Sequence, residues 1–466
     1  MTSAAAGSVA ALVGVGVVNA GVALGDHVAP RMPASSWGRA IEMPGPSVLG
    51  VGKAADVNAV SCASTGNCTA GGDYLDRFGH EQGFVASEVH GVWGKATKVP
   101  GLQALNAGGD AEILALACAL AGNCAATGTY TERLGQEQAF VASEWHGVWG
   151  KAIEIPGLAV LNKGGGIVSL AISCGSPDDC AVGGMYQNSP NERQAFVASE
   201  RTGRWDKAIE VPGVGALGPD VGESGVESVS CAAAGDCTAT GTYLTGIDRQ
   251  HGFAVSERNG VWGKAIEIPG LGRLDSGGFA NVGSVSCASP GNCAASGYYG
   301  HRGFHGFVVS ERDGVWGKAI MVPRVAEVSS VACAAPGDCA GVGTSSGQHL
   351  GFAVSERNGV WGKVVPIPGL NRRGQFFISS IACVSAGNCA AGGFYDNSLA
   401  FDSPAFVVSE RHGVWTKAIR VPGLFPRNAQ VLSLSCSRQG YCAAGGGYLN
   451  RAGNAFGFVV TERHDP

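Results

Sequence analysis

Near the start of the chain, Trp37-Gly-Arg-Ala-Ile-Glu-Met-Pro-Gly45 reads almost residue for residue like Trp262-Gly-Lys-Ala-Ile-Glu-Ile-Pro-Gly270. The later copy closes a unit that opens with a cysteine pair, Cys231 and Cys237, whereas the early copy has no such pair before it. Eight Cys-x5-Cys units occur, but only seven are followed by the Trp-to-Pro segment; the eighth stops at Phe458-Val-Val-Thr-Glu462. The missing segment therefore sits at the other end of the chain. A linear array of repeats has no reason to split a unit between its ends, and it tends to carry atypical caps. A closed ring has one, because the split unit ties the first segment to the last.

The unit itself reads as four short strands. In the fourth unit Val226-Glu-Ser-Val-Ser-Cys231 alternates with period two, and Cys237-Thr-Ala-Thr-Gly-Thr-Tyr243 follows after a turn. A variable stretch leads to Gly252-Phe-Ala-Val-Ser-Glu257, and Asn259-Gly260 then leads into Trp262–Pro269. We name these strands a, b, c and d. Asn-Gly between two alternating runs is a strong hairpin signal, because both central residues must accept positive φ. The proline ending strand d suits an edge, where a missing donor costs little. With a period near 50 residues and a split unit, the expected fold is all-β: an eight-bladed β-propeller of four-stranded blades. The propeller is expected to span 37–463, its last blade combining 430–462 with the closing strand 37–44. The two-residue turn predicts that Trp37 faces Glu462 and Ile41 faces Phe458. It also places Glu257 and Lys264 as diagonal neighbours, a Glu/Lys pair that recurs in the other units. Recurrence in every blade favours a structural over a catalytic role.

The cysteines fall into pairs with none left over: Cys62/Cys68, Cys118/Cys124, Cys174/Cys180, Cys231/Cys237, Cys287/Cys293, Cys333/Cys339, Cys383/Cys389 and Cys436/Cys442. Three readings compete: local disulfides, reduced structural thiols and metal sites. Zinc normally needs about four ligands from nearby pairs, but each pair stands alone and no histidine recurs with it. Turn formers such as Ser64-Thr65-Gly66-Asn67 fill the interval, and a hairpin would bring the sulfurs together. One disulfide per blade is expected, and with it an oxidising, secreted or envelope location. Residues 1–30 agree with a leader: 1–25 carry no charge, and Val18-Asn19-Ala20 and Gly21-Val22-Ala23 both fit a cleavage site. The usual basic start is absent, the first Lys or Arg being Arg31, so an uncleaved N-terminal anchor is the competing reading.

Composition excludes several classes. The 466 residues include 75 Gly, and charged residues make up only 15%. Net charge is -5 with no basic stripe, which argues against nucleic acid and a polybasic membrane segment. Hydrophobic content of 45% is ample for a core. A monomer is expected. No cofactor is expected either, since neither a phosphate-cradling loop nor a dinucleotide fingerprint appears in its proper setting.

The pattern Gly184-Met-Tyr186, a variable loop, then Ala195-Phe-Val-Ala-Ser-Glu200 resembles the HAF-type extracellular repeats of secreted bacterial proteins. The whole unit also resembles a kelch-like blade. The resemblance covers residues 37–462 and departs in having a disulfide hairpin in each unit. It implies secretion and a β-rich fold, and it carries over no functional residue.

In a propeller the a–b and c–d turns share one face, and the b–c and d–a loops share the other. Here the first set is nearly uniform and the second varies, which points to a protein- or glycan-binding surface on the variable face. Arg77, Arg133, Arg193, Arg249, Arg302 and Arg451 lie in b–c loops and form a candidate binding rim for carboxylate or sulfate groups. The competing reading pairs each with its neighbouring acid. Tyr74, Tyr130, Tyr186, Tyr243, Tyr298, Tyr395 and Tyr448 are expected to pack against the Phe of strand c rather than serve as sugar platforms. Catalytic signals are poor. Gly343-Thr-Ser-Ser-Gly347 is placed in a b–c loop rather than a nucleophile elbow. His301 and His305 have no helix to align them, and no sialidase-type box is present. The chain is expected to be a non-catalytic secreted propeller, with a polysaccharide lyase or glycoside hydrolase as the alternative.

Overall fold

The computed structural model describes residues 37–45, 54–218, 221–246, 249–275, 278–345, 350–370, 375–396, 403–424 and 428–462. The expected leader, 1–30, and the expected last residue, 463, lie outside them.

The β-runs form eight antiparallel sheets, each ordered a-b-c-d. Blade four comprises Val221–Ala233, Asp236–Thr245, Arg249–Arg258 and a two-part strand d, Val261–Trp262 and Ile266–Glu267. Blade eight takes Ala429–Cys436, Cys442–Leu449 and Ala455–Glu462, and Ile41–Glu42 completes it from the other end of the chain. The fold is the eight-bladed propeller that the split repeat implies.

Every cysteine pair is bonded, each Cys directly opposite its partner across the a–b hairpin, with Cα atoms 3.9–4.0 Å apart. The two halves of a bridge are not equally placed. The strand-b cysteines Cys68, Cys124, Cys180, Cys237, Cys293, Cys339, Cys389 and Cys442 are all buried. Of their strand-a partners only Cys62 is, while Cys118, Cys174, Cys231, Cys287, Cys333, Cys383 and Cys436 are half-buried. The bridges are therefore parts of the blade interior rather than surface sites open to a ligand. Eight disulfides suit an oxidising compartment.

The closing register is half as expected. Trp37 does face Glu462, but Ile41 faces Val459 and Glu42 faces Phe458. The same one-residue slip occurs in blade four, where Phe253 faces Glu267 instead of Ile266. The cause is a bulge at Gly-Lys/Arg-Ala in strand d. It turns the Ala N–H out of its own sheet and onto the proline carbonyl that ends strand d of the preceding blade. Ala152 donates to Pro100 at 2.7 Å, Ala265 to Pro212 at 2.7 Å, and Ala40 to Pro422 at 2.7 Å. A register slip of one residue exchanges the faces, so Ile266 and Ile41 are exposed rather than stacked between blades.

The bulge also removes the expected Glu/Lys pairs. Glu257 is buried and is served by the preceding blade: Ser199 donates to it at 2.7 Å and Arg201 lies 3.6 Å away. Trp262 Nε1 donates to the same Ser199 at 3.0 Å. The Ser-Glu-Arg run of strand c is thus an inter-blade latch, in which Ser and Arg of one blade hold the Glu of the next. It continues as Arg258–Glu311, Arg312–Glu356, Arg357–Glu410 and Arg411–Glu462. Glu462, fully buried, also accepts from Ser409 at 2.6 Å. At the chain junction Thr461 stands where Ser would be, and Tyr441 of blade eight supplies the hydroxyl to Glu88 at 2.5 Å.

A third ladder runs around the central channel. The inner edge of strand a would present unpaired N–H groups. Serines of the preceding blade accept them: Cys118 N–H on Ser61 at 2.9 Å, Cys287 on Ser230 at 2.9 Å, and Cys62 on Ser435 at 3.0 Å across the junction.

Candidate functional site on the variable face

The two faces of the disc differ in how tightly they are tied. On the a–b/c–d face, each c–d turn donates to the a–b turn of its own blade, as in Gly91 to Gly66 and Gly260 to Gly235, both at 2.8 Å. Gly66 has φ +67°, and a Cβ there would lie 2.6 Å from the Gly91 nitrogen, so this contact requires glycine. The disulfides lie behind these turns. That side is a repeated clamp.

The b–c/d–a face diverges from blade to blade. Its d–a loops carry short helical turns unforeseen from sequence, such as Leu102–Leu105 and Leu271–Leu274, whose first leucines are buried. The six arginines belong to this side. Arg77, Arg133, Arg249, Arg302 and Arg451 are exposed. Arg77 lies over the Phe78 ring, 4.6 Å from its centroid. Arg193 lines a cavity, and the carboxylate beside it is Glu223 of the next blade, at 3.8 Å. Asp76, next to Arg77, pairs with His80 instead, at 3.6 Å.

The tyrosine reading needs one change of residue. Tyr74, Tyr186, Tyr395 and Tyr448 do pack against the strand-c phenylalanines, with ring centroids 5.1–6.5 Å apart. In blade five, however, the buried position belongs to Tyr299, and Tyr298 turns to the opposite side of the sheet. There it meets Phe304 edge-on at 5.4 Å and Phe279 at 5.9 Å. Phe304 is 58% exposed. The His301/His305 pair is occupied locally: His305 Nε2 lies 2.8 Å from the His301 carbonyl, and its ring stacks on Tyr299. Gly343, Thr344 and Ser345 belong to strand b, not to a b–c loop, and Gly347 lies outside the described residues.

Beside the aromatic trio a cleft of about 280 Å³ crosses blades three to five. Its lining includes Met185 and Arg193, Glu223 and Glu227, and Phe279 and Tyr298, with Gln250 and Asn281 adding amides. The lining is mostly polar and charged, with Met185, Leu244, Phe279 and Tyr298 as its apolar part. Glu227 occupies the bulge between Val226 and Ser228 in strand a, which releases it from the regular alternation. Burial holds its carboxyl above the usual range.

A second constellation, between blades one and two, was not apparent from sequence. Asp73, Glu81 and Glu112 place one carboxylate oxygen each within 4.8 Å of the others, and they are the residues best placed to hold a cation. Asn58 donates to Asp73 at 2.9 Å. Burial, reinforced by neighbouring acids, pushes Asp56 up to about 6, Glu112 to about 7 and Glu81 to about 8. These groups hold protons in the folded state that the unfolded chain releases near pH 4–4.5. Stability contributed here is therefore complete below that range and is lost as pH rises through about 6 to 8. We expect a loss on the order of 1–2 kcal/mol between pH 5 and pH 8.5, after allowance for solvent screening. Urea unfolding at the two pH values measures it. Glu81→Gln should flatten the slope, and an unchanged slope would count against a shared-proton cluster.

No family model matches the chain, and no curated protein matches its sequence. Solved structures match by fold. Sqt1 of Chaetomium thermophilum, solved bound to the N-terminus of a ribosomal protein, aligns at 10% identity and a TM-score of 0.50, over 92% of this chain and all of that one. A prolyl endopeptidase aligns at 12% identity and 0.47, over 90% of this chain and 55% of the other. A xyloglucanase from Xanthomonas campestris aligns at 11% and 0.45, over 89% and 60%. At such identities the likeness concerns the propeller alone.

Proposed function

We propose that this chain is a secreted, monomeric, non-catalytic β-propeller of the HAF-type, kelch-like kind, and that it binds a glycan through its variable-loop face. The observation that carries the reading is the cleft across blades three to five, where Phe279 and Tyr298 line a ring-sized space beside carboxylates and amides. Aromatic rings offer apolar faces to sugar C–H groups, while amide and carboxylate groups meet the hydroxyls. A protein partner would need a broad apolar patch with a central anchor. Export of the chain through residues 1–30 accords with its eight disulfides.

A second reading, a polysaccharide lyase or glycoside hydrolase, has one observation in its favour: the carboxylates of Asp73, Glu81 and Glu112 gather in one place, although at 4.8 Å or less they stand closer than the ~5–5.5 Å of a retaining pair. Against it, these groups are half-buried and none of them lines the cleft. A glycan array with the purified protein, followed by turnover assays on each hit, separates the two. Binding without turnover is expected. Turnover abolished by Glu81→Gln would establish the enzyme instead, and a blank array would remove the glycan.

A further inference from the structure

The charges around the cleft do not balance. Glu223 has Arg193 3.8 Å away. Glu227 makes no ion pair among the described residues, and neither does Glu327, on the inner strand of blade six. Of the two, Glu227 lines the cleft together with Tyr298. A neutral sugar would leave it uncompensated on binding. A uronic or sialic acid would be repelled. A ligand with an apolar ring face and a positive charge meets both features of the wall, because an ammonium gains from carboxylates and from aromatic faces alike.

We propose that this cleft binds an unacetylated amino sugar, its pyranose ring against Tyr298 and Phe279 and its ammonium at Glu227. The inference rests on the glycan-binding reading above and adds the ligand class. The Arg-lined rim expected from sequence would select the opposite charge, but of its six members only Arg193 reaches the cleft, and Glu223 lies beside it.

Three tetrasaccharides with one backbone test it: a β-1,4-linked glucosamine oligomer, its N-acetylated form, and the glucose equivalent. Titration calorimetry at neutral pH and low salt should show the glucosamine oligomer binding at least about tenfold more tightly than the other two. Glu227→Gln should remove that preference, bringing the glucosamine oligomer to the affinity of the other two. Tyr298→Ala should abolish binding of all three. Circular dichroism and the thermal midpoint confirm that both variants fold, and Tyr298→Phe should keep the stacking and the affinity if Tyr298→Ala does not fold. Equal affinity for the three oligomers, or full binding by Glu227→Gln, overturns the amine assignment. Silence of all three while other glycans bind the array overturns it too, and leaves the glycan reading standing. A blank array overturns both. Equal competition by a lysine-bearing peptide assigns the cleft to a protein ligand and overturns the sugar.

Discussion

Truncation of the chain at residue 45 should leave a protein that does not close and that aggregates on purification. The closing strand contributes far more than its two paired residues. Trp37 and Met43 are buried, and Trp37 Nε1 donates to Ser409 of blade seven at 3.0 Å. Gly38 and Met43 donate to Thr461 and Gly457 of strand c at 2.8 and 2.9 Å. Ala40 donates to Pro422 of blade seven, and Pro44 accepts from Ala96 of blade one at 2.6 Å. One short segment therefore binds three blades together. Removing a buried Trp costs about 3–5 kcal/mol on its own, and each lost hydrogen bond about 1 kcal/mol. The sum is on the order of 5–10 kcal/mol, comparable with the whole stability of a domain. The truncation also uncovers Ala455–Glu462 as a long sheet edge, a template for pairing with other chains. The control is a circular permutant that begins after residue 45 and joins Glu462 to Trp37 through Arg-Asn-Gly-Val, the connection blade four uses between Glu257 and Trp262. It should be monomeric, with a thermal midpoint at or above that of the parent. Size exclusion and thermal melts decide the matter. A truncated chain that stays monomeric with an unshifted midpoint would show that the ring does not depend on this strand.

What the sequence made legible and what it hid differ in physical kind. Blade number, strand order and the disulfides follow from signals that recur eight times at fixed spacing, and each lies within one repeat. The bulge in strand d was invisible because its cause is a hydrogen bond to another repeat: nothing within Trp262–Pro269 says that Ala265 will turn to Pro212. The Glu/Lys pairing failed for the same reason. A two-residue turn fixes the register only as far as Trp262, and beyond the bulge the partner of Glu257 is Arg201 in the preceding blade. The candidate sites are not repeats at all. Met185, Glu227, Phe279 and Tyr298 come together only when blades three to five stack. One signal was available. Position by position, Tyr298 stands where four other blades place Asp73, Thr129, Thr242 and Thr344, and a bulky aromatic in place of a small polar residue, shared only with Phe394 of blade seven, marks a local departure from the scaffold. The arginine rim was drawn from a dipeptide pattern in loops, where sequence position says little about which side chains converge.

Reduction of the disulfides should lower the urea midpoint of unfolding by more than half, a far larger effect than loss of any single bridge. Each bond closes a loop whose ends are six residues apart in sequence, and on the chain-entropy account such a loop contributes about 2–3 kcal/mol. Replacing Cys231 and Cys237 with serine should cost about that amount and leave a folded ring. Eight bridges together amount to about 20 kcal/mol on the same account, more than the net stability typical of a domain. The hairpins also have other ties, such as Gly260 to Gly235 and Cys231 N–H to Ser173, so the sum is an upper bound. It nevertheless exceeds what those ties return at about 1 kcal/mol each. Because the strand-b cysteine of each pair is buried, as Cys68 and Cys237 are, reductant reaches the bridge from the half-buried strand-a side or through partial opening. The comparison is therefore made after reduction in urea and refolding with thiols blocked. A reduced chain that recovers the parent midpoint would mean that the blades stand on packing alone. A reduced chain that fails to refold, beside a serine pair variant that does, would mean that stability rests on many equivalent clamps. Such a protein cannot persist where thiols are kept reduced, so the same measurement bears on where in or outside the cell the ring can work.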